Sequence, residues 1–207
     1  MRVMSEPAYT RLAVDERRRR LLDAGTALFA THGFEEISMR EIAQAAGVSK
    51  ALLYHYFPSK ADLFTAAIEE RTRELERVLE PTPDGPPIDA LTASVERYLH
   101  WIANNADWWS KLIVSAATLP QAREAVERFR RSTLERILAE VSEDAAPPAV
   151  LRSALRGWLG YVDAAVLDWI EHGDPAIEQL RDLIIAAFVA ALLAAAQADP
   201  SIQLRLE

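Results

Sequence analysis

One stretch of twenty residues, 38–57, constrains the fold more than any other part of this chain of 207 residues. Ser38 followed three positions later by Glu41 is a capping box, which predicts the start of a helix. Gly47 can adopt the left-handed backbone in which helices often end, and Ser49 can cap the next helix. The stretch therefore predicts two short helices joined by a tight turn, the helix-turn-helix motif.

The second helix of this motif has a core-facing side and an outward-facing side. Leu53 and Phe57 are four positions apart, so they share one face and can pack against the core. The opposite side carries the remaining residues, which are Lys50, Ala51, Tyr54 and His55. A helix exposed in this way can enter the major groove of DNA, so these four residues are predicted to meet the DNA.

The motif resembles the signature of the tetracycline-repressor (TetR) family of bacterial transcription regulators, which runs close to T-x-R-x-I-A-x-x-A-G-V-S-x-G-x-x-Y-x-H-F-x-x-K. The matching residues are Ser38, Arg40, Ile42, Ala43, Ala46, Gly47, Val48, Ser49, Tyr54, Phe57 and Lys60. Ala51 stands where family members often have glycine. A bare glycine turn between helices is often only a packing corner, whereas a match of this length is specific. The resemblance lies within the first 75 residues.

The resemblance implies a sequence-specific DNA-binding regulator, and side-chain chemistry suggests a role for each matching position. The residues expected at phosphates or sugars are Ser38, Tyr54, His55 and Lys60. Arg40 and Lys50 can donate hydrogen bonds to guanine edges, and Ala51 is short enough to meet a thymine methyl group. Ser49, the cap of the helix that would enter the groove, completes the predicted DNA-binding set.

The charge distribution is compatible with a DNA-binding head on a larger acidic part. Residues 1–60 carry nine Lys and Arg against seven Asp and Glu, a charge of +2, which leaves −10 for residues 61–207. Phosphate binding needs positive charge only at the contact surface, so the acidic remainder does not exclude it. The chain has no cysteine, which excludes disulfides and thiolate metal sites and favours a reducing cytoplasm.

The head is predicted to span residues 11–75, with its recognition helix at about 49–57. A helix should begin near Asp15 and stop at Gly33, because apolar residues recur between them at helical spacing. The arginine run at 17–20 lies in the first turns of this helix. Contact with phosphate is one explanation for the run, and a solvated charged face is the other.

A long helix is expected from Ser59 to about Leu79, and the resemblance implies that it acts as a lever between the head and a second domain.

Residues 1–12 lack the long apolar run of a signal peptide or membrane anchor, and are expected to be disordered in the unbound protein. Four prolines at 81–87 forbid a continuous helix there and mark the clearest break in the chain.

The second domain, 76–207, is predicted to be helical throughout, because apolar positions recur every three or four residues and no strand alternation appears. Its helices are expected near 88–105, 107–117, 120–141, 148–172 and 174–198. The predicted fold class is therefore all-α, with a three-helix head followed by a helical ligand-binding and dimerisation domain.

The last helix is apolar on every side over 14 residues, 183–196, which is shorter than the roughly 20 residues that span a bilayer. Such a helix must be buried all round, and a chain of this size can hardly enclose it alone. The preceding helix offers small residues such as Gly157, Gly160 and Ala164, which permit close helix approach. A four-helix homodimer interface, also the family's arrangement, is predicted in preference to a buried helix in a monomer.

Large aromatic side chains provide the only signal for a ligand. The predicted cavity-lining residues are Trp101, Trp108, Trp109, Trp158 and Tyr161. Ordinary core packing is the alternative for any one of these rings. The candidates for polar contacts with a ligand are His100, Asn104, Asn105, Asp163 and Asp168.

The sequence lacks the common enzyme motifs, and its four histidines are far apart, so neither catalysis, a cofactor nor a metal site is expected. The favoured function is a cytoplasmic, homodimeric repressor of double-stranded operator DNA, released by a small, largely apolar effector and without a membrane partner. Two alternatives remain, namely a ligand-responsive activator and a helical interaction module that has lost DNA binding.

Overall fold

The computed structural model describes residues 8–80, 87–144 and 146–205, in which all the regular elements are α-helices apart from one β-bridge between Ser142 and Leu204. The helices are α1 Ala8–His32, α2 Met39–Ala45, α3 Lys50–Tyr56, α4 Lys60–Val78, α5 Pro87–Thr118, α6 Pro120–Val141, α7 Ala149–His172 and α8 Ile177–Ala198. The all-α prediction is confirmed. The predictions for residues 1–7 and 81–86 lie outside the described residues, whereas residues 8–12, which were expected to be disordered, belong to α1.

Three helix boundaries differ from the sequence prediction. α1 begins at Ala8 rather than near Asp15, because neither glycine nor proline interrupts the chain between them. The two helices expected at 88–105 and 107–117 form one element, α5, bent at Asn105, where φ is −133° and ψ is 21°. α8 begins at Ile177 rather than at 174, since Pro175 disfavours helical backbone at Asp174 and Ala176 is extended, with a ψ of 148°.

The chain forms two compact units, each with its own core. The first contains the described residues up to Arg71 together with Asp107–Ala125, and the second contains Thr72–Ala106 with the described residues from Val126 onward. α4 therefore contributes residues to both units, and α5 is divided just after its bend. The boundary drawn from the linear sequence assigned residues 107–125 to the second domain, whereas packing groups them with the first unit.

Aromatic rings fill the core of the first unit. The ring centroids of Phe29 and Phe64 are 4.7 Å apart, and those of Phe34 and Phe64 are 5.1 Å apart. Leu53 of α3 and Phe57, which caps its C-terminal end, are 0% and 2% exposed, which confirms that they face the core as predicted. α3 is therefore fixed to the first unit through its apolar face.

The helix pair α7 and α8 supplies much of the core of the second unit. Buried residues recur at helical spacing along both helices, and they are Leu151, Leu155, Trp158, Val162 and Val166 of α7 and Leu180, Ile184, Phe188, Leu192 and Ala195 of α8. Trp158 joins the pair. Its Nε1 donates to the carbonyl oxygen of Ile184 at 3.0 Å, and its ring meets Phe188 edge-on with centroids 5.0 Å apart.

One face of α8 is uncovered in the single chain, where Leu183 and Leu193 are 51% and 57% exposed. α8 has 22 residues and a mean hydropathy of 1.8 in its most apolar window, so by length and composition it could cross a membrane. The run of 14 apolar residues predicted that α8 is too short to span a bilayer. By helix length and mean hydropathy, that prediction is wrong. A core helix passes the same test, and the buried side of α8 against α7 is that of a core helix.

The approach of α1 to α4 depends on Gly25. A Cβ atom at this position would lie 2.9 Å from Cδ2 of Leu63, whose side chain is fully buried and has little room to move.

We expect Gly25→Ala to lower the free energy of unfolding by about 1 kcal/mol, because overpacking outweighs the better helix propensity of alanine. Chemical denaturation would measure the change. Asp23→Ala, an exposed change on the same helix, is the control, and equal stability of the Gly25→Ala protein would contradict the prediction.

Candidate nucleic-acid interface and ligand cavity

Ser38 and Glu41 form the predicted capping box at the start of α2. The backbone N–H of Glu41 donates to Ser38 Oγ at 3.3 Å, while the backbone N–H and the hydroxyl of Ser38 both donate to Glu41 Oε2 at 2.8 Å. The hydrogen bond from the Ser38 side chain lowers the pKa of Glu41. Both donors of Ser38 are thus engaged, so a phosphate contact through Ser38 would require this arrangement to open.

The turn between α2 and α3 has the geometry that the sequence predicts. Gly47 has a φ of +65°, in the left-handed region that other residues rarely adopt. The N–H of Val48 donates back to the carbonyl oxygen of Ala43 at 2.9 Å, which closes the end of α2. Ser49 then caps α3, accepting the N–H of Leu52 at 3.2 Å. These bonds fix the direction in which α3 leaves the turn.

The outward face of α3 carries hydrogen-bond donors and no carboxylate. Its exposed residues are Lys50, Ala51, Tyr54 and His55. The ammonium of Lys50 lies 5.5 Å from the centre of the Tyr54 ring, so the cation and the phenol are neighbours on this face. Arg40 is also exposed, on α2. The predicted division of α3 into a buried and an exposed side is therefore confirmed.

Lys60 differs from the other predicted DNA-binding residues because its ammonium is engaged within the first unit. It donates to the carbonyl oxygens of Phe34 at 2.7 Å and Ile37 at 3.0 Å, and it lies 4.3 Å from the centre of the Phe34 ring. Lys60 is half-buried, and one of its three N–H donors remains for another partner. It thereby ties the loop before α2 to the start of α4.

The arginine run 17–20 is exposed on α1. Arg18 lies 5.0 Å above the ring of Phe57, the residue that ends α3, while Arg19 and Arg20 pair with Glu16 at 3.7 and 3.1 Å. The run was visible in the sequence, but the contact with Phe57 was not, because the two residues are distant along the chain. Arg18 adds positive charge beside the end of α3.

A cavity of about 390 Å³ lies within the second unit. Its apolar lining consists of Leu79, Ile88, Ala90, Leu91, Val95, Phe129, Ile137, Val141, Trp158, Leu159, Val162, Ile184 and Phe188. The volume is in the range of small-molecule sites, roughly 300–1,000 Å³, and the apolar wall is typical of them. The arrangement can accept a small, largely apolar molecule.

Arg130 and Asp163 lie in the cavity wall and belong to a connected group of charged side chains. Arg130 donates through Nε at 2.8 Å and through a terminal nitrogen at 2.6 Å to the same oxygen, Oδ2 of Asp163. Its other terminal nitrogen bonds Glu127 at 2.6 Å, and Glu127 also pairs with Arg156. Burial raises the pKa of Asp163, although Arg130 opposes the shift. Burial also raises the pKa of Tyr98, with a further increase from Asp163.

The cavity brings together only part of the predicted ligand set. Trp158 and Asp163 line it, but Trp101, Trp108, Trp109 and Tyr161 are not among its lining residues. Trp101 lies almost one turn beyond Tyr98, the last α5 residue in the wall, and Trp108 and Trp109 belong to the first unit. On α7 the lining residues are Trp158, Leu159, Val162 and Asp163.

Sequence reasoning missed Ser94 on α5, and it also missed four polar lining residues on α6, which are Arg130, Thr133, Arg136 and Glu140. This helix carries charged residues along most of its length, so the sequence does not distinguish an inward arginine from a solvated one. The one available signal was Glu127, three positions before Arg130, which can form a pair with it on the helix surface.

Comparison with known proteins matches both parts of the chain to one family. Residues 21–67 match the bacterial regulatory proteins of the tetR family, and residues 87–191 match a Tetracyclin repressor-like C-terminal domain. The HTH-type transcriptional activator FasR of Mycolicibacterium smegmatis is 30% identical, over 65% of this chain and 63% of its own length. The HTH-type transcriptional repressor KstR of the same organism is 42% identical, over 37% of this chain and 36% of its own length.

The fold is shared along most of the chain with a solved structure. A tetR-family transcriptional regulator from Streptomyces coelicolor superposes with a TM-score of 0.81 at 27% identity, covering 90% of this chain and 85% of that one. The chain spans less than two thirds of the length of FasR and of KstR. The C-terminal match by itself extends over half of the present chain. The protein therefore belongs to the TetR family of helix-turn-helix transcriptional regulators.

Proposed function

We propose that the protein is a cytoplasmic repressor that binds operator DNA as a homodimer and leaves it when a small, largely apolar molecule fills the cavity. The outward face of α3 is the observation that carries the proposal, because it presents a cation and hydrogen-bond donors on a helix held firmly from behind. This chemistry suits guanine edges and phosphates. Fold and relatives are those of regulators rather than enzymes.

In this proposal some exposed residues of the first unit contact the DNA bases, and others contact the sugar-phosphate backbone. Lys50 and Arg40 donate to base edges, and Ala51 meets a thymine methyl group. Tyr54 and His55 contact phosphate or sugar, while exposed arginines of α1 add phosphate contacts. Ser38, Ser49 and Lys60 remain candidates for the DNA surface, with the hydrogen bonds described above as their roles within the first unit.

The uncovered apolar face of α8 supports the proposed homodimer. Leu183, Val189 and Leu193 are exposed on α8, and Gly160 is exposed on α7. A second copy that supplied the same two helices would remove these side chains from water and form a self-complementary four-helix interface. Two copies also supply the two recognition helices that a pair of operator half-sites requires.

The proposed release mechanism acts through α4, which contributes residues to both compact units. Recognition helices in a dimer must enter major grooves one turn apart, roughly 34–36 Å, so a small change in their separation prevents both from docking. A ligand changes this equilibrium only by binding one separation better than the other. The alternative that ligand binding activates transcription is supported by the relative named an activator, FasR.

Substitution at Lys50 and Lys60 should have different consequences. Lys50 is exposed, so Lys50→Ala should leave stability unchanged and relax preference at one operator position by about 1–3 kcal/mol. Lys60→Ala should lower the melting temperature and weaken binding to every sequence, because the carbonyl groups of Phe34 and Ile37 lose their donor.

Competition binding with DNA from upstream of the protein's own gene, combined with thermal denaturation, would separate these effects. Unchanged stability of Lys60→Ala together with a salt slope smaller by about one would instead make Lys60 a phosphate ligand. Loss of sequence preference to the same degree in both variants would contradict the division of roles.

A charge on the uncovered face of α8 should disrupt the homodimer. Leu193→Glu would place a carboxylate within the proposed apolar interface, where it could not be solvated. Val114→Glu is a matched control, because Val114 is 70% exposed on α5 and belongs to the first unit, whereas α7 and α8 belong to the second. Sedimentation should show monomers only for Leu193→Glu. A well-folded dimer in that variant would place the interface elsewhere.

Effector binding should be visible through Trp158, which lines the cavity. Lipophilic metabolites that enter the cavity should change tryptophan fluorescence and weaken DNA binding over the same concentration range. Trp158→Phe should reduce the fluorescence change, whereas Trp101→Phe, a change outside the cavity lining, should not. Compounds that bind in the cavity with no effect on DNA affinity would contradict the proposed release mechanism.

A further inference from the structure

The cavity wall contains a hydrogen-bond acceptor that the surrounding protein leaves available. Both donors that Arg130 directs at Asp163 reach the same oxygen, Oδ2. Among the described residues, Oδ1 of Asp163 accepts no hydrogen bond, and the side chain is 19% exposed at the cavity wall. A carboxylate oxygen is a strong acceptor, and leaving one unpaired in a largely apolar site is costly.

The charges of the lining residues decide which donor fits this oxygen. Two positive residues, Arg130 and Arg136, are balanced by two negative ones, Asp163 and Glu140. An anionic ligand would face Asp163 and would find Arg130 already bound to two carboxylates. A cationic ligand would add an unbalanced charge to this wall and would have to be desolvated. A neutral hydroxyl donates one hydrogen bond and adds no charge.

We propose that the cavity selects a neutral hydrophobic molecule bearing a hydroxyl group, with the hydroxyl donating to Oδ1 of Asp163 and the apolar body lying along the apolar wall. This inference rests on the proposed function in taking the cavity as the effector site. It adds a chemical class for the effector and assigns Asp163 as the residue that distinguishes among ligands of similar shape.

The proposal is tested with four probes that each contain an unbranched chain of ten carbons: n-decanol, its methyl ether, decanoate and n-decylamine. Calorimetric titration of the unmodified protein should rank n-decanol tightest, by about tenfold or more over the ether, which keeps the oxygen but lacks the donor. Tighter binding of decanoate or n-decylamine than of n-decanol would overturn the proposal, and so would failure of all four probes to bind.

Asp163→Asn tests the residue itself. Its amide oxygen can still accept from Arg130, which turns an NH₂ donor toward the cavity, so the advantage of n-decanol over the ether should disappear. Asp168 was also a candidate for contact with the ligand, but it is not among the lining residues. Asp168→Asn removes the same charge from this exposed position on α7 and should leave the ranking unchanged. Glu127→Gln alters a partner of Arg130 outside the cavity lining and should also preserve the ranking.

An unchanged ranking in Asp163→Asn, or an equal loss in Glu127→Gln, would overturn the assignment to Asp163. Binding to DNA from upstream of the protein's own gene, measured in parallel with n-decanol, separates this inference from the proposed function. If the four probes bind in the predicted order but n-decanol does not change the affinity of the protein for DNA, the proposed ligand class is supported and the proposed release mechanism is rejected.

Discussion

A helix of seven residues is not stable by itself in water, so the orientation of α3 depends entirely on what holds it. The left-handed backbone at Gly47 sets the turn, and the hydroxyl of Ser49 satisfies the first turn of the helix. Burial of Leu53 and Phe57 then fixes one side of α3 against the core. The donors on the other side acquire a defined direction only because these local and tertiary constraints agree.

Features set by neighbouring residues were predictable from the sequence, and features set by distant ones were not. The caps at Ser38 and Ser49 depend on residues three positions away, so their patterns are visible in the chain. The partners of Lys60, at Phe34 and Ile37, lie 26 and 23 positions away. The sequence predicted an apolar cavity. It did not predict which residues line the cavity, because that depends on how several helices are rotated relative to one another, and the spacing of apolar residues along each helix does not determine this rotation.

The cavity combines two environments that are usually kept apart. Its wall is mostly hydrocarbon, yet Arg130 and Asp163 form a partly buried ion pair within it. Such pairs contribute little net stability, because desolvation offsets much of the attraction. Their presence here is more readily understood through ligand selection. The pair is one polar point on a wall that is mostly apolar, and a molecule bound against it would take a preferred orientation.

The bend at Asn105 has a consequence for how the protein unfolds. Helix formation is cooperative along uninterrupted helical geometry, and the non-helical backbone of Asn105 interrupts it within α5. The residues before the bend pack with one compact unit and those after it with the other. Fraying that starts in either part of α5 can therefore stop at Asn105. The amide protons of each part then exchange with solvent together with those of the compact unit to which that part belongs.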